Sequence, residues 1–249
     1  MTTITASLII IGNEILSGRT QDTNLASLAQ RLNPIGIPLR EVRVIADDQA
    51  MIVATVNELR ARDRYVFTTG GIGPTHDDIT AGSVAAAFGV PLVRDPDAVR
   101  LLESHYPSGH LNEARLRMAT VPEGSRLIAN PVSRAPGFQI GNVFVLAGVP
   151  RIMQAMLDDV IPRLQGGPAM LSRTVRCHLA EGVLAAQLGA LQDRLPAIAI
   201  GSYPFGLPPA KPGTNLVLRG TDASALDAAV IELCAILRVL GGDAEVVSD

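Results

Sequence analysis

Residues 7–11 read Ser-Leu-Ile-Ile-Ile, a β-branched run with no polar side chain after its first position. Such a run predicts a strand buried on both faces, the condition of a parallel sheet rather than of a half-exposed one. Leu39–Ile45 and Tyr65–Thr69 read as two more strands. Between them lie helical patterns over residues 23–32, stopped by Asn33-Pro34, and over residues 50–61. A third helix, Thr80–Phe88, follows and is stopped by Gly89. Strands alternating with helices predict a doubly wound, mostly parallel α/β sheet with helices on both faces.

Further along, residues 91–94, 126–129, 138–140 and Val143–Leu146 read as short strands, the last two joined by a Gly141-Asn142 turn. Asp95 is placed to cap a helix opened by Pro96. Residues 150–164 read as a helix despite Pro162. Residues 165–168, Gln-Gly-Gly-Pro, read as a linker, and the pattern then changes. Residues 171–179 alternate, with Leu171, Arg173, Val175, Cys177 and Leu179 on one face and Arg173 the exception on it. A helix over 183–195, strands over 197–201 and 215–219, a helix over 223–240 and a strand over 244–247 complete a β-α-β-β-α-β order, that of ferredoxin-like folds. The expected domains are therefore 1–165, α/β, and 169–249, small α+β.

Composition narrows the function classes. The net charge is -3 and lysine occurs once, at Lys211, so no basic stripe is present and nucleic acid is not an expected partner. No apolar run reaches the ~18 residues of a membrane span, and the N-terminus lacks a basic n-region. A soluble, cytoplasmic protein without a membrane partner is expected. Cys177 and Cys234 are too few and too far apart for a disulfide framework or a CxxC metal site and are expected to be buried.

The chemistry concentrates in residues 67–89, FTTGGIGPTHDDITAGSVAAAFG. A glycine-rich turn leaving a parallel strand presents successive amides and a helix N-terminus, a cradle for an anion. The turn is not a P-loop, and Gly71-Ile72-Gly73 lacks the third glycine of a dinucleotide fingerprint. Asp77, Asp78 or Thr80 is placed to cap the next helix. A second carboxylate beside phosphate is favourable when a divalent cation bridges the two. Two further loops leave strands at the same end: one after the first strand carries Glu14 between glycines, the other carries Asp47-Asp48, either of which is placed to cap a helix. His76 is a candidate base or merely exposed. No GxSxG nucleophile elbow is present.

The stretch TTGGIGPTHDDIT at residues 68–80 resembles the signature of the molybdopterin-binding (MoaB/Mog-like) fold. It is most similar to the branch formed by the N-terminal region of CinA, which also includes the pterin-binding-like domain of eukaryotic FAD synthases. IIIGNEILSGRTQDTN, VIADD, RMATVPEG, NPVSRAPGF and LAGVP match in order, over most of residues 4–165. The tail resembles the small domain that follows in CinA-like proteins, with Gly201-Ser202-Tyr203-Pro204 similar to a GxYP turn. Deamidation of nicotinamide mononucleotide, the work of a further CinA domain, is not expected of this chain.

The resemblance implies chemistry at a phosphoanhydride bond. In molybdopterin adenylyltransferases the motif acids fall on Asp47 and Asp78; CinA-like relatives are similar to metal-dependent pyrophosphatases acting on ADP-ribose and FAD-like dinucleotides. Asp47, Asp78 and Glu14 are then the catalytic candidates. Asp47, Asp77 and Asp78 are the candidates to hold Mg²⁺, Mn²⁺ or Co²⁺. Gly12, Asn13, Gly70, Gly71, Gly73, Thr75, Thr80, Asn130, Gly137 and Gly148 are the candidates to bind a nucleotide or pterin. A pyrophosphatase is expected, with a molybdopterin adenylyltransferase or a non-catalytic binding protein as alternatives, and a homo-oligomer, dimer or trimer. The chain departs from the family pattern at Ser133-Arg134, where Gly-Thr is frequent, and at Ala147 and Ile152, where the frequent motif is Pro-Gly-Val-Pro-Arg-Glu.

Overall fold

The structure, a computed structural model, describes residues 4–206 and 211–247. The chain divides into two compact units, Met1–Gly167 and Pro168–Asp249. The expected outer limits at residues 1 and 249 fall outside the described residues.

Unit 1 runs β1 (Ala6–Ile11), α1 (Asn13–Leu16), α2 (Asn24–Leu32), β2 (Leu39–Ile45), α3 (Gln49–Arg62), β3 (Tyr65–Thr69), α4 (Thr80–Phe88), β4 (Leu92–Arg94), α5 (Pro96–His105), α6 (Glu113–Leu116), β5 (Thr120–Pro122), β6 (Arg126–Ile128), β7 (Gly137–Ile140), β8 (Val143–Leu146) and α7 (Pro150–Val160). Its main sheet has the order β2-β1-β3-β8-β7-β6. The first four strands are parallel and β7 and β6 add an antiparallel edge. All six residues of β1 are buried. Leu8 and Ile10 pack with Leu28, Leu32, Met153 and Leu157 of α2 and α7. Ile9 and Ile11 pack with Ile52, Val56, Leu59 and Val84 of α3 and α4 on the other face. Period-two alternation between two apolar layers is why β1 carries no polar face. Phe144 stacks on Phe67 at 5.3 Å and meets Tyr65 edge-on at 6.0 Å, which anchors β8 to β3.

Several local expectations are corrected. The loop after β1 contains the one-turn helix α1. α7 stops at Val160 and Ile161–Arg163 continues as a 3₁₀ turn, because Pro162 has no amide to donate. α6 and β5 carry too few residues for a periodic signal.

Asp63 ties the amino ends of β1 and β3 together, at the opposite end from the glycine loop. It is 4% exposed and accepts from Ser7 Oγ at 2.7 Å, Thr5 Oγ1 at 2.8 Å and Arg62. Burial pushes its carboxyl up, but the Ser7, Thr5 and Arg62 donors outweigh burial and hold it below the ordinary value.

Unit 2 runs β9 (Leu171–Cys177), α8 (Glu181–Arg194), β10 (Ala199–Phe205), β11 (Gly213–Gly220), α9 (Ala223–Val239) and β12 (Glu245–Val247). Its sheet has the order β10-β11-β9-β12, every pair antiparallel, as the ferredoxin-like pattern requires. Val175, Cys177, Leu216 and Leu218 bury against Leu226, Leu233 and Leu237. Both cysteines are buried and free. Arg173 keeps its place in the alternation by reaching out to Asp227 at 2.9 Å. Gly201-Ser202-Tyr203-Pro204 is not a turn. It lies within β10, where Tyr203 pairs with Asn215, and Pro204 is tolerated because β10 is an edge strand.

Candidate functional site

The carboxyl ends of β1, β2, β3 and β8 meet along one edge of the sheet, and β1 sits between β2 and β3. The chain leaves β1 toward one side and returns on the other, which opens a crevice at this switch point.

The glycine loop after β3 fills that crevice. Gly70 has φ +102°, and a Cβ there would lie 2.1 Å from the carbonyl oxygen of Ile11. Only glycine lets β3 and β1 approach so closely. Its amide donates to Leu146 O at 3.2 Å. The loop is locked from behind by Thr80, fully buried, whose hydroxyl donates to Gly70 O at 3.0 Å and whose amide donates to Gly71 O at 3.0 Å. Thr80 thus builds the loop and is turned away from any ligand. The amides of Gly71, Ile72 and Gly73 find no acceptor among the described residues, the run of free donors that an anion nest needs.

The aspartates divide their work. Neither Asp77 nor Asp78 caps α4; its N-cap is Ile79, with no side-chain bond. Asp78 instead closes the turn before it, with Oδ2 accepting from the Thr75 amide at 2.8 Å and from the Thr75 hydroxyl. Both donors of Thr75 are thereby engaged. Asp77 is exposed, 4.0 Å from His76. In the pair after β2, Asp48 caps α3 by accepting from Met51 N at 2.8 Å. Asp47 reaches across to β1's loop and accepts from Asn13 N at 2.9 Å. The acid that the family motif marks is the one freed from capping.

Asp47, Asp77 and Asp78 do not converge: among the described residues no three acidic, histidine or cysteine side chains form a metal-holding group. Asp47 and Asp78 each keep one carboxylate oxygen outside these loop bonds, the donor type that Mg²⁺ takes.

Two cavities flank the loop. One, of about 310 Å³, includes Gln49, Ser83, Leu92, Arg117, Thr120 and Phe138 in its wall. The other, of about 360 Å³, includes Glu14, Asn130, Ser133, Ala147, Gly148 and Ile152. Gly71, Ile72, Gly73, Asp78 and Met118 line both. The glycine loop is therefore a ridge between them. Asn130 is buried and shapes the wall, with Nδ2 donating to Ala135 O at 2.8 Å and Oδ1 accepting from Val132 N at 3.0 Å. Of the family departures, Ser133, Ala147 and Ile152 line the second cavity. Arg134 has φ +61°, the one non-glycine at positive φ among the described residues.

Gly137 does not join the site. It is buried in β7, where a Cβ would lie 2.3 Å from Val145 O, so its glycine serves sheet packing. Gly12 lies under Glu14, whose carboxylate folds over it. Arg117, Met118 and Gln49 are site residues that chemical typing of the sequence missed; the RMATVPEG match contained the first two without a role.

The family model described as probable molybdopterin binding domain matches residues 7–166, and one described as FAD synthase, middle domain, matches residues 169–240. A CinA-like protein of Desulfosudis oleivorans is 37% identical over 209 residues, covering 79% of this chain and 51% of that one. One of Gemmatimonas aurantiaca is 36% identical over 248 residues, covering 93% and 57%. The chain thus spans about half the length of these curated relatives. A crystal structure of the protein CinA from Thermoplasma acidophilum, described as of unknown function, matches with a TM-score of 0.60 at 37% identity, over 64% of this chain and 98% of that one. The motif residues gathered around the glycine ridge and these matches agree: the chain belongs to the molybdopterin-binding (MoaB/Mog-like) domain family, in its CinA-like branch.

Proposed function

We propose that the chain is a divalent-metal-dependent nucleotide pyrophosphatase acting on dinucleotides such as ADP-ribose or FAD. The observation that carries this is the ridge: a ligand occupying both cavities must lay its middle over Gly71-Ile72-Gly73. A dinucleotide has its pyrophosphate in the middle and an organic group at each end. The match of the second unit to an FAD synthase domain supports the same substrate class.

In this mechanism the free amides of Gly71, Ile72 and Gly73 hold the pyrophosphate, with Gly70 setting the turn. Asp47 and Asp78, each with one oxygen beyond its loop bond, would hold the cation, with Asp77 at the rim. A bound divalent cation would neutralise charge on the phosphoryl oxygens. Glu14 at the wall of the second cavity orients the attacking water. Water adds to one phosphorus, the bond from that phosphorus to the bridging oxygen breaks, and the bridging oxygen leaves on the other phosphate. ADP-ribose gives AMP and ribose 5-phosphate.

The family match favours a second reading, adenylyl transfer to a pterin or simple retention of molybdopterin. The family resemblance also supports a homodimer or trimer, to be read by light scattering.

AMP release from ADP-ribose and FAD, with Mg²⁺, Mn²⁺, Co²⁺ or no metal, separates these. Metal-dependent release, lost in a folded Asp78→Ala protein, supports hydrolysis. No release with any metal from folded protein refutes it, and pterin binding then becomes the assay.

A further inference from the structure

Leu184 and Leu191 of α8 and Leu226, Leu233 and Leu237 of α9 are buried in one core against the unit 2 sheet, so both helices lie on the same face of it. At about 100° per residue, the side of α9 turned directly away from that core carries Ala228, Ile231, Ala235 and Val239. A surface helix normally places its charges there. Here all four residues are exposed and apolar, Ile231 to 72% and Val239 to 88%. Single exposed hydrophobes are ordinary, but a row of them along one helix side is a contact surface without a partner.

The neighbouring helix has the opposite shape. The outward side of α8 carries Gly182, Ala186 and Gly189, all exposed, with no side chain larger than a methyl before Asp193. Neither glycine has a positive φ, and a Cβ at either would meet nothing within 4 Å. The backbone therefore does not require glycine at these positions, and inside a helix glycine is less stable than alanine. A bare helix side does permit the close approach of another helix. Arg194 of α8 and Glu232 of α9 form an ion pair, which keeps the two outward sides next to each other. One surface thus carries both a raised row, Ile231 and Val239, and a hollow over Gly182, Ala186 and Gly189. A two-fold contact between identical chains needs a surface that is its own complement. Charge agrees: Asp193 at the end of the hollow and Arg238 beside Val239 have opposite signs, so two copies of this face do not repel. Helices of this length are about 20–25 Å long and about 10 Å wide, so the joint face measures roughly 25 by 20 Å, the size of a modest, reversible interface.

We propose that this helical face of unit 2 binds a second copy of the chain, the Ile231/Val239 row of each copy seating in the α8 hollow of the other. The contact involves unit 2 alone and does not depend on the chemistry assigned to the glycine ridge.

Sedimentation velocity over a range of protein concentrations reads the association directly. The wild-type mass is expected to rise from one chain to two. Ile231→Glu/Val239→Glu, which charges the row, and Gly189→Gln, which fills the hollow with a better helix former, are each expected to weaken association at least about tenfold without lowering Tm. Ala186→Cys/Ile231→Cys is expected to give a two-chain disulfide on oxidation, with no background from Cys177 and Cys234, which are buried. A wild type that stays a single chain at every concentration leaves the face to a partner of another sequence and overturns the proposal. Association unchanged in both folded variants, or no two-chain disulfide beside a wild-type dimer, places the contact elsewhere and overturns it as well.

Discussion

Asp47 accepts a hydrogen bond from the backbone amide of Asn13 at 2.9 Å, so one carboxylate spans the loops after β2 and β1. Its neighbour Asp48 spends its side chain on Met51 N, at the start of α3. Asp48→Ala is expected to lower stability by about 1 kcal/mol, as a lost N-cap does, and to leave turnover near wild type. Asp47→Ala is expected to reduce AMP release by about a hundredfold or more, the scale of one preorganised electrostatic group, with little change in Tm. Melting curves and rates on both proteins check the split.

Gly70→Ala places a methyl carbon at 2.1 Å from the Ile11 carbonyl oxygen at a backbone angle of +102°. Strain of this kind costs about 1–3 kcal/mol before any clash is counted. The variant is expected to melt earlier and to lose ligand binding together with stability. Gly89→Ala has φ +67° and open space around it, so it is expected to show the strain alone and keep binding. Calorimetry beside a nucleotide-binding titration distinguishes the two.

Asp63→Ala leaves Ser7 Oγ and Arg62 without their buried partner at the amino ends of β1 and β3. Removing one side of such a buried network is expected to cost about 3 kcal/mol. The site lies at the other end of the strands. Chemical denaturation is therefore expected to shift while kcat, measured well below the new midpoint, does not.

Arg117 lines the 310 Å³ cavity beside Gly71, Gly73 and Asp78. Arg117→Gln is expected to raise KM for a dinucleotide by about tenfold, or ~1.4 kcal/mol, with a smaller change in kcat. An equal KM in the variant would remove Arg117 from substrate binding.

Asp243 in unit 2 has its carboxyl lowered from 3.8 to about 2, first by the His178 side chain at 2.7 Å and then by the His178 amide. A depressed acid contributes stability that is complete above its unfolded value and lost as pH falls through its folded one. The contribution of this pair is therefore expected to be full above pH 3.8 and to disappear toward pH 2. Asp243→Asn is expected to differ from wild type above that window and to converge with it below. Acid unfolding of both proteins gives the comparison.

Much of the fold is legible locally. β2 and β3 have the predicted ends, and so does α4, which Gly89 stops at φ +67°. Asp95 caps α5 through Asp97 N and Ala98 N as its place before Pro96 suggests. Each of these signals is written within a few residues of chain. Equal-looking residues were harder. Asp47 and Asp48 have the same chemistry, and only the entry angle of α3 decides which one caps. Thr80 sits in a ligand-loop motif, yet the helix turns its hydroxyl back onto Gly70 O. Gly201 to Pro204 has turn composition, but pairing with β11 draws it into a strand.

The sequence by itself determined the alternation of buried strands and helices, the glycine turn after β3 and the acids at three strand ends. These depend on short-range periodicity and backbone preference. Only the tertiary structure decided that Arg117 and Met118 join the glycine ridge and that Gly137 serves the sheet instead. The physical reason is strand order. Placing β1 between β2 and β3, with β8 beside β3, brings residues tens of positions apart within bonding reach, and no local pattern in the chain records that distance.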